Sequence, residues 1–188
     1  MDYLKVYTDC FNTPYYSIEH HIQYDFAVNN ILSLYKNNST FSLIDVGSGR
    51  GALINLVKSN FANSNITSVD LDKFNDIPVN FKKCNLSLYQ DRDNLLTSKY
   101  DILTCTDVLE HLDKSFIEDV ILMFSKLSKD CIFAIANHSD IINNVQLHTI
   151  QENDLWWDDK LLKYFSITKK QIEYNGQLYM YVCKSKQT

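Results

Sequence analysis

Apolar positions along the chain switch between two periods. Residues 41–46, 66–69, 79–83, 100–106 and 131–136 form short runs rich in β-branched, aromatic and other apolar side chains, read as strands. Between them apolar residues return at helical spacing. Over 18–35, Tyr24, Val28, Ile31, Leu32 and Tyr35 share a face, with His21 one turn earlier and Ser17 placed to cap. Residues 52–59 form a second helix, and 87–99 a polar loop with a short one. A further helix carries Phe116, Val120, Met123, Phe124 and Leu127 at core spacing, with Ser115 as its cap. The pattern predicts a loop over 141–151 and a helix over 152–165 with Trp157 inward and Trp156 off the stripe. Residues 166–174 and 177–184 flank Asn175-Gly176, a hairpin signal. Residues 1–17 are aromatic and broken by Pro14, so they read as irregular.

Strand and helix thus alternate, which gives an α/β fold. The first junction stands out. Three of the chain's four glycines fall at 47, 49 and 51, between the first strand and its helix. A plain turn needs one glycine. Three permit close approach of backbone to an anionic or polar ligand at a helix N-terminus. Asp70 ends the next strand, 19 residues after Gly51. An acid about 20 residues beyond such a loop is placed to accept both hydroxyls of a ribose. Its other reading is a helix cap or turn carboxylate. Asp72 beside it reads as a turn cap.

Composition removes several classes of function. The chain has 188 residues, 45% of them hydrophobic and 22% charged, enough for one core. No apolar run reaches membrane-spanning length, and the first residues resemble neither a signal nor a transit peptide. Five scattered cysteines show no CxxC and no zinc spacing, which fits free thiols in a reducing cytoplasm and gives no metal site. Net charge is -5, and Arg50 and Arg92 are the only arginines, so no extended nucleic-acid surface is expected.

Polar side chains cluster where strands end, which is where ligands sit in open parallel sheets. Asn85 and Leu86 follow the third strand and could read the edge of a base. Asn137 and His138 follow the fifth strand, and His148 sits in the 141–151 loop. His138 and His148 are therefore the first candidates for an acid or base, ahead of His111 and His21. His21 reads either as a packed histidine or as part of a pocket with Tyr24. Trp156 reads either as lightly exposed surface or as a pocket wall.

The segments Leu43-Ile44-Asp45-Val46-Gly47-Ser48-Gly49-Arg50-Gly51, Val69-Asp70, and Tyr100-Asp101 through Asp107-Val108-Leu109-Glu110-His111-Leu112 carry a resemblance. Together with the order of elements, they resemble the class I S-adenosylmethionine-dependent methyltransferases, in particular their small-molecule branch. The resemblance covers 40–136 by motif and the remainder by topology. It implies a doubly wound, seven-stranded, mostly parallel sheet of order 3-2-1-4-5-7-6. Strand 7 would be antiparallel, with helices on both faces. It implies one domain over 1–188: an N-terminal aromatic segment and helix over 1–39, a cofactor-binding core over 40–136, and a substrate side over 137–188. Asp45 and the loop of Gly47, Ser48, Gly49 and Gly51 would hold the methionine end of S-adenosylmethionine. Asp70 and Leu71 would hold the ribose, Asn85 and Leu86 would lie near adenine, and Thr106 and Asp107 near the sulfonium. Many members have Asp where this chain has Asn85. His21, Tyr24, Asn137 and Trp156 would face a small acceptor methylated on oxygen or nitrogen.

Gly47-x-Gly49-x-x-Ala52 also satisfies a dinucleotide pattern. Two features favour the methyl donor. Asp45 suits an ammonium better than a pyrophosphate, and a terminal hairpin replaces the second mononucleotide half of a dinucleotide fold. A chain that binds the donor without transferring its methyl, as a regulatory module or a donor-cleaving enzyme, is the alternative.

Overall fold

The computed structural model describes residues 3–11, 21–37, 40–142 and 144–187. In chain order the elements are α1 (Tyr3–Phe11), α2 (Ile22–Tyr35), β1 (Ser42–Val46), α3 (Ala52–Asn60), β2 (Asn65–Asp70), β3 (Asn80–Lys83), α4 (Tyr89–Leu95), β4 (Tyr100–Thr106), α5 (Ile117–Leu127), β5 (Ser128–Ala136), β6 (Ile141–Ile142), β7 (Val145–Gln146), α6 (Asp154–Leu162), β8 (Phe165–Glu173) and β9 (Leu178–Ser185). Seven strands form one sheet of order β3-β2-β1-β4-β5-β9-β8, while β6 and β7 pair separately. The β1–β2, β2–β3, β1–β4 and β4–β5 pairs are parallel. β9 runs antiparallel to both β5 and β8. This is the expected topology, with β9 as the antiparallel strand. Because the order reverses beside β1, the carboxyl ends of β1 and β4 open a crevice.

Alternation along the strands feeds two cores. Ile44, Val46, Leu103 and Cys105 face one side, where they pack with Phe124 of α5, Trp157 of α6 and Phe165. Leu43, Ile102 and Ile132 face the other, against Phe26 and Ile31 of α2 and Leu53, Ile54 and Val57 of α3. The helices therefore cover both faces. In α5 the predicted Val120, Met123, Phe124 and Leu127 are buried, joined by Ile117 and Ile121, while Phe116 at the N-cap is partly buried.

Four local expectations change. Residues 1–17 were expected to be irregular, but Tyr3–Phe11 is helical. Leu4, Tyr7 and Cys10 recur at helical spacing and Cys10 is buried; Pro14 follows in sequence, outside the described residues. The inward face of α2 is Gln23, Phe26, Ala27, Val28 and Ile31, rotated from the predicted stripe, with Tyr24 and Tyr35 at its margin. A polar Gln23 is inside because its amide donates to Asp107 (2.6 Å). Ser17 lies outside the described residues. Ser115 caps nothing with its side chain: Phe116 occupies the N-cap of α5, and the Ser115 amide donates to Asp113. Finally, α6 starts at Asp154, where the Asn153 side chain accepts from the Trp156 amide (2.9 Å).

Candidate active site

The glycine loop is held from both sides. The Gly47 and Ser48 amides donate to the Val69 carbonyl, at 2.8 and 3.1 Å. The Gly49 amide donates to Asp70 Oδ2 (2.8 Å), and the Leu71 amide to Asp70 Oδ1 (2.7 Å). Asn75 adds a bond from its side-chain amide to the Gly49 carbonyl (2.9 Å). Gly47, Gly49 and Gly51 all have positive φ. Gly47 is the most constrained: a Cβ there would lie 2.1 Å from Val108 Cγ2. Valine is β-branched and stiff, so it cannot swing clear at low cost. Sequence and geometry agree that this loop is built for glycine.

Beyond the loop lies a cleft whose empty space, counted out into open solvent, is about 720 Å³. Its walls include Gly47, Asp70, Leu71, Asn85, Leu86 and Asp107 of the expected cofactor set. Val46, Val69, Cys84, Ser87, Val108, His111 and Leu112 complete the rim, with Tyr7 of α1 over it. Gly49 and Gly51 shape the loop from behind. Ser48 is buried and shares a hydrogen bond with the Ser68 hydroxyl (2.6 Å). Thr106 is buried at the end of β4.

Asp45 is not on the cleft wall. Its register partner on β4 is Thr104, whose hydroxyl donates to Asp45 Oδ1 (2.7 Å). Burial pushes the Asp45 carboxyl up to about 7, opposed by the Thr104 hydrogen bond and reinforced by Asp70. Tyr24 feels both Asp107 and Asp45, and burial followed by these two carboxylates raises its hydroxyl well above the ordinary range. Burial also pushes Asp70 up to about 6, against the Gly49 and Leu71 hydrogen bonds that favour its ionised form. Asn85 is held by its own turn: its amide donates to Asp91 (2.8 Å), and its side-chain oxygen accepts from the Ser87 amide (3.0 Å).

On the far side of Asp107 three histidines meet. The His111 and His148 rings are 4.6 Å apart edge to face, and the His138 and His148 rings 4.7 Å apart. The 3-10 turn Leu109–His111 supplies His111. His148 is brought in by a segment pinned at both ends. Leu147 and Ile150 are buried, the Ile150 amide donates to the Glu110 carbonyl, and the Thr149 hydroxyl donates to the Leu112 carbonyl (2.7 Å). The predicted 141–151 loop thus contains the β6–β7 hairpin and a stitched return. Burial, with His148 and His138 adding repulsion, pushes His111 down to about 3; burial also lowers His148. Both are neutral imidazoles at pH 7.

Two expected acceptor residues are engaged elsewhere. The Asn137 side-chain amide donates to the Tyr179 hydroxyl (2.6 Å) and the Gly176 carbonyl. Trp156 packs edge on against Trp157, with Lys114 and Lys160 over its ring. His21 is at the N-cap of α2 with its ring against Tyr24 (5.5 Å), and both lie within electrostatic reach of Asp107. Sequence reasoning overlooked Tyr7, Gln23 and Glu110. The spacing of Glu110 and His111 after Asp107 was in view, but nothing in it said that Glu110 would be buried.

A family model for the methyltransferase domain matches residues 18–169. The chain belongs to that methyltransferase family. No curated protein sequence matches it significantly. Solved structures share its fold at low identity. One is an S-adenosylmethionine-dependent methyltransferase from Clostridium acetobutylicum, with TM-score 0.68, 12% identity, and 98% of this chain and 99% of that one covered. Another is the Burkholderia thailandensis 1,6-didemethyltoxoflavin-N1-methyltransferase with its substrate and S-adenosylhomocysteine, with TM-score 0.67, 13% identity, and coverage of 98% and 85%. A third is the magnesium protoporphyrin IX methyltransferase of Synechocystis with S-adenosylmethionine, with TM-score 0.62, 16% identity, and coverage of 98% and 97%.

Proposed function

We propose that the protein transfers a methyl group from S-adenosylmethionine to an oxygen or nitrogen of a small-molecule acceptor. The observation that carries this reading is the glycine loop tied to Asp70 at the mouth of the cleft. Family membership and donor-bound relatives of the same fold support the donor. In this reading Asp70 accepts from the ribose hydroxyls, and Leu86 and Asn85 flank the adenine. The Gly47 backbone and Asp107 lie toward the methionine and sulfonium.

A sulfonium methyl is already activated, so the protein has to hold the acceptor in line at roughly 3–3.5 Å and receive its proton. His138 is the more accessible proton acceptor. It is exposed, whereas His148 is 5% exposed and burial weakens its basicity. His148 donates from Nδ1 to the His138 carbonyl (2.8 Å) and holds that residue in place. The net charge of -5 favours a small acceptor over a nucleic acid. Among the described residues no helix is long and apolar enough to cross a membrane.

Incubation with methyl-labelled donor and a metabolite pool, with products resolved by mass, tests the reading. A labelled small molecule supports it. Donor that stays intact, or donor cleaved without any methylated product, contradicts it.

Asp70 gives a second test. Asp70→Ala is expected to weaken donor binding by about 1.5–3 kcal/mol, the scale for hydrogen bonds to a charged group. Ribose hydroxyls prefer the ionised carboxylate, and the free group titrates at about 6. Affinity is therefore full above that pH and falls as pH drops through it. Asp70→Asn should remove this dependence. Calorimetry across the range checks both. An unchanged affinity would make Asp70 a clasp for the loop and nothing more.

A further inference from the structure

Glu110 is completely buried, yet its side chain is only half used. Oε1 accepts from the Ala136 amide (2.9 Å), while Oε2 is buried with no hydrogen-bond partner among the described residues. Leaving a buried carboxylate oxygen unpaired is costly. Burial, and after it a second buried carboxylate, Asp107, disfavour its charged form.

The surroundings of Glu110 are of one chemical kind. A carboxylate oxygen of Glu110 and a ring nitrogen of each of His111 and His148 all lie within 4.8 Å of one another. Each histidine is fixed through one ring nitrogen, and Asp140 Oδ2 lies 3.9 Å from His148 Nε2. His111 Nδ1 is 3.2 Å from the Leu147 carbonyl, and His148 Nδ1 is 2.8 Å from the His138 carbonyl. A carbonyl only accepts, so each Nδ1 carries the proton and each Nε2 keeps its lone pair. Imidazole bonded through one nitrogen to a backbone carbonyl is how proteins fix a metal-ligating histidine.

We propose that Glu110, His111 and His148 bind one divalent transition-metal ion. Two imidazoles and one carboxylate suit zinc, manganese or iron(II) better than magnesium or calcium, which prefer oxygen throughout. Metal–ligand bonds of about 2.0–2.2 Å require donor atoms somewhat closer than 4.8 Å, so the three side chains draw in slightly around the ion. The cation gives Oε2 its missing partner and offsets the repulsion from Asp107. His111 also lines the donor cleft, so the ion sits at its edge. Positions not filled by protein are available to an acceptor oxygen, which selects acceptors carrying a hydroxyl or carboxylate that can ligate. That last role rests on the methyltransferase reading, whereas binding of the ion does not.

The test uses full-length protein dialysed against a chelator and then titrated calorimetrically with zinc, manganese, cobalt(II) and magnesium chlorides. One equivalent of zinc, manganese or cobalt is expected, with magnesium at least tenfold weaker. Cobalt should give the visible absorption of a site with nitrogen ligands. His148→Ala should abolish binding, and Glu110→Gln should weaken it at least tenfold. Circular dichroism confirms folding of each variant. Should Glu110→Gln fail to fold, His148→Ala and the cobalt spectrum decide. No ion bound by the wild type, or an ion bound equally by His148→Ala, overturns the proposal. Because no acceptor is present in the titration, a protein that binds the ion but transfers no methyl overturns the acceptor reading alone.

Discussion

His138→Ala is expected to lower methyl transfer about 10²–10⁴-fold, the usual worth of a positioned acid–base group, with donor affinity barely changed. His138 follows β5 and meets His148, while the donor cleft is built from the ends of β1, β2 and β3 and the turn after β4. Loss of the histidine therefore removes the proton acceptor without touching the ribose or adenine contacts. His148→Ala should also cost turnover, because its Nδ1 bond to the His138 carbonyl fixes the base. The two losses should be far from additive, since the side chains act as a unit. Single-turnover rates and donor affinity measured on both variants and on the double variant check this. Full activity in both single variants would move the acceptor site to His21 and Tyr24.

Gly47→Ala should be damaging on two counts. The residue sits at φ +75°, where a side chain costs about 1–2 kcal/mol. Its Cβ would also lie 2.1 Å from a Val108 methyl, and relieving that contact displaces the turn that carries Asp107 and Glu110. A destabilisation of about 2–4 kcal/mol is expected, within the range for strain at a special backbone position. The donor site should be disturbed with it, because relieving the clash shifts the loop that the Gly47 and Ser48 amides hold to the Val69 carbonyl. Gly51→Ala should cost less. Its Cβ meets the terminal Cδ1 of Ile77, which can rotate away. Thermal melts of both variants, with and without donor, give the comparison. Equal tolerance of alanine at the two positions would show that the loop is looser than its contacts suggest.

The sheet order and the glycine loop could be read from the chain because both leave local marks. β1 and β4 are short runs rich in apolar and other β-forming residues, and three glycines in five residues have few structural uses. The cleft was legible in part. Asp70, Leu71, Asn85 and Leu86 follow directly from being at strand ends, as the topology requires. What failed depended on distant partners. Gln23 faces inward because Asp107, 84 residues away, accepts its hydrogen bond. The hydroxyl that the β1–β4 register sets against Asp45, that of Thr104, is likewise 59 residues away. Trp156 has Lys160 one turn along the same helix, but the second cation over its ring, Lys114, comes from the turn before α5, which no helical period reveals. Helix α1 was missed because Pro14 was allowed to govern residues that precede it. Burial of Glu110 arises from the return of residues 147–150 onto the turn after β4, a contact nearly 40 residues long that no spacing rule predicts.

The claim on which the rest stands is that the cleft takes a sulfur nucleoside. Calorimetric titration of the protein with S-adenosylhomocysteine and, separately, with NAD tests it most directly. The account predicts one equivalent of S-adenosylhomocysteine bound, a melting temperature that rises with its concentration, and no response to NAD. Binding of NAD with no response to S-adenosylhomocysteine would contradict it.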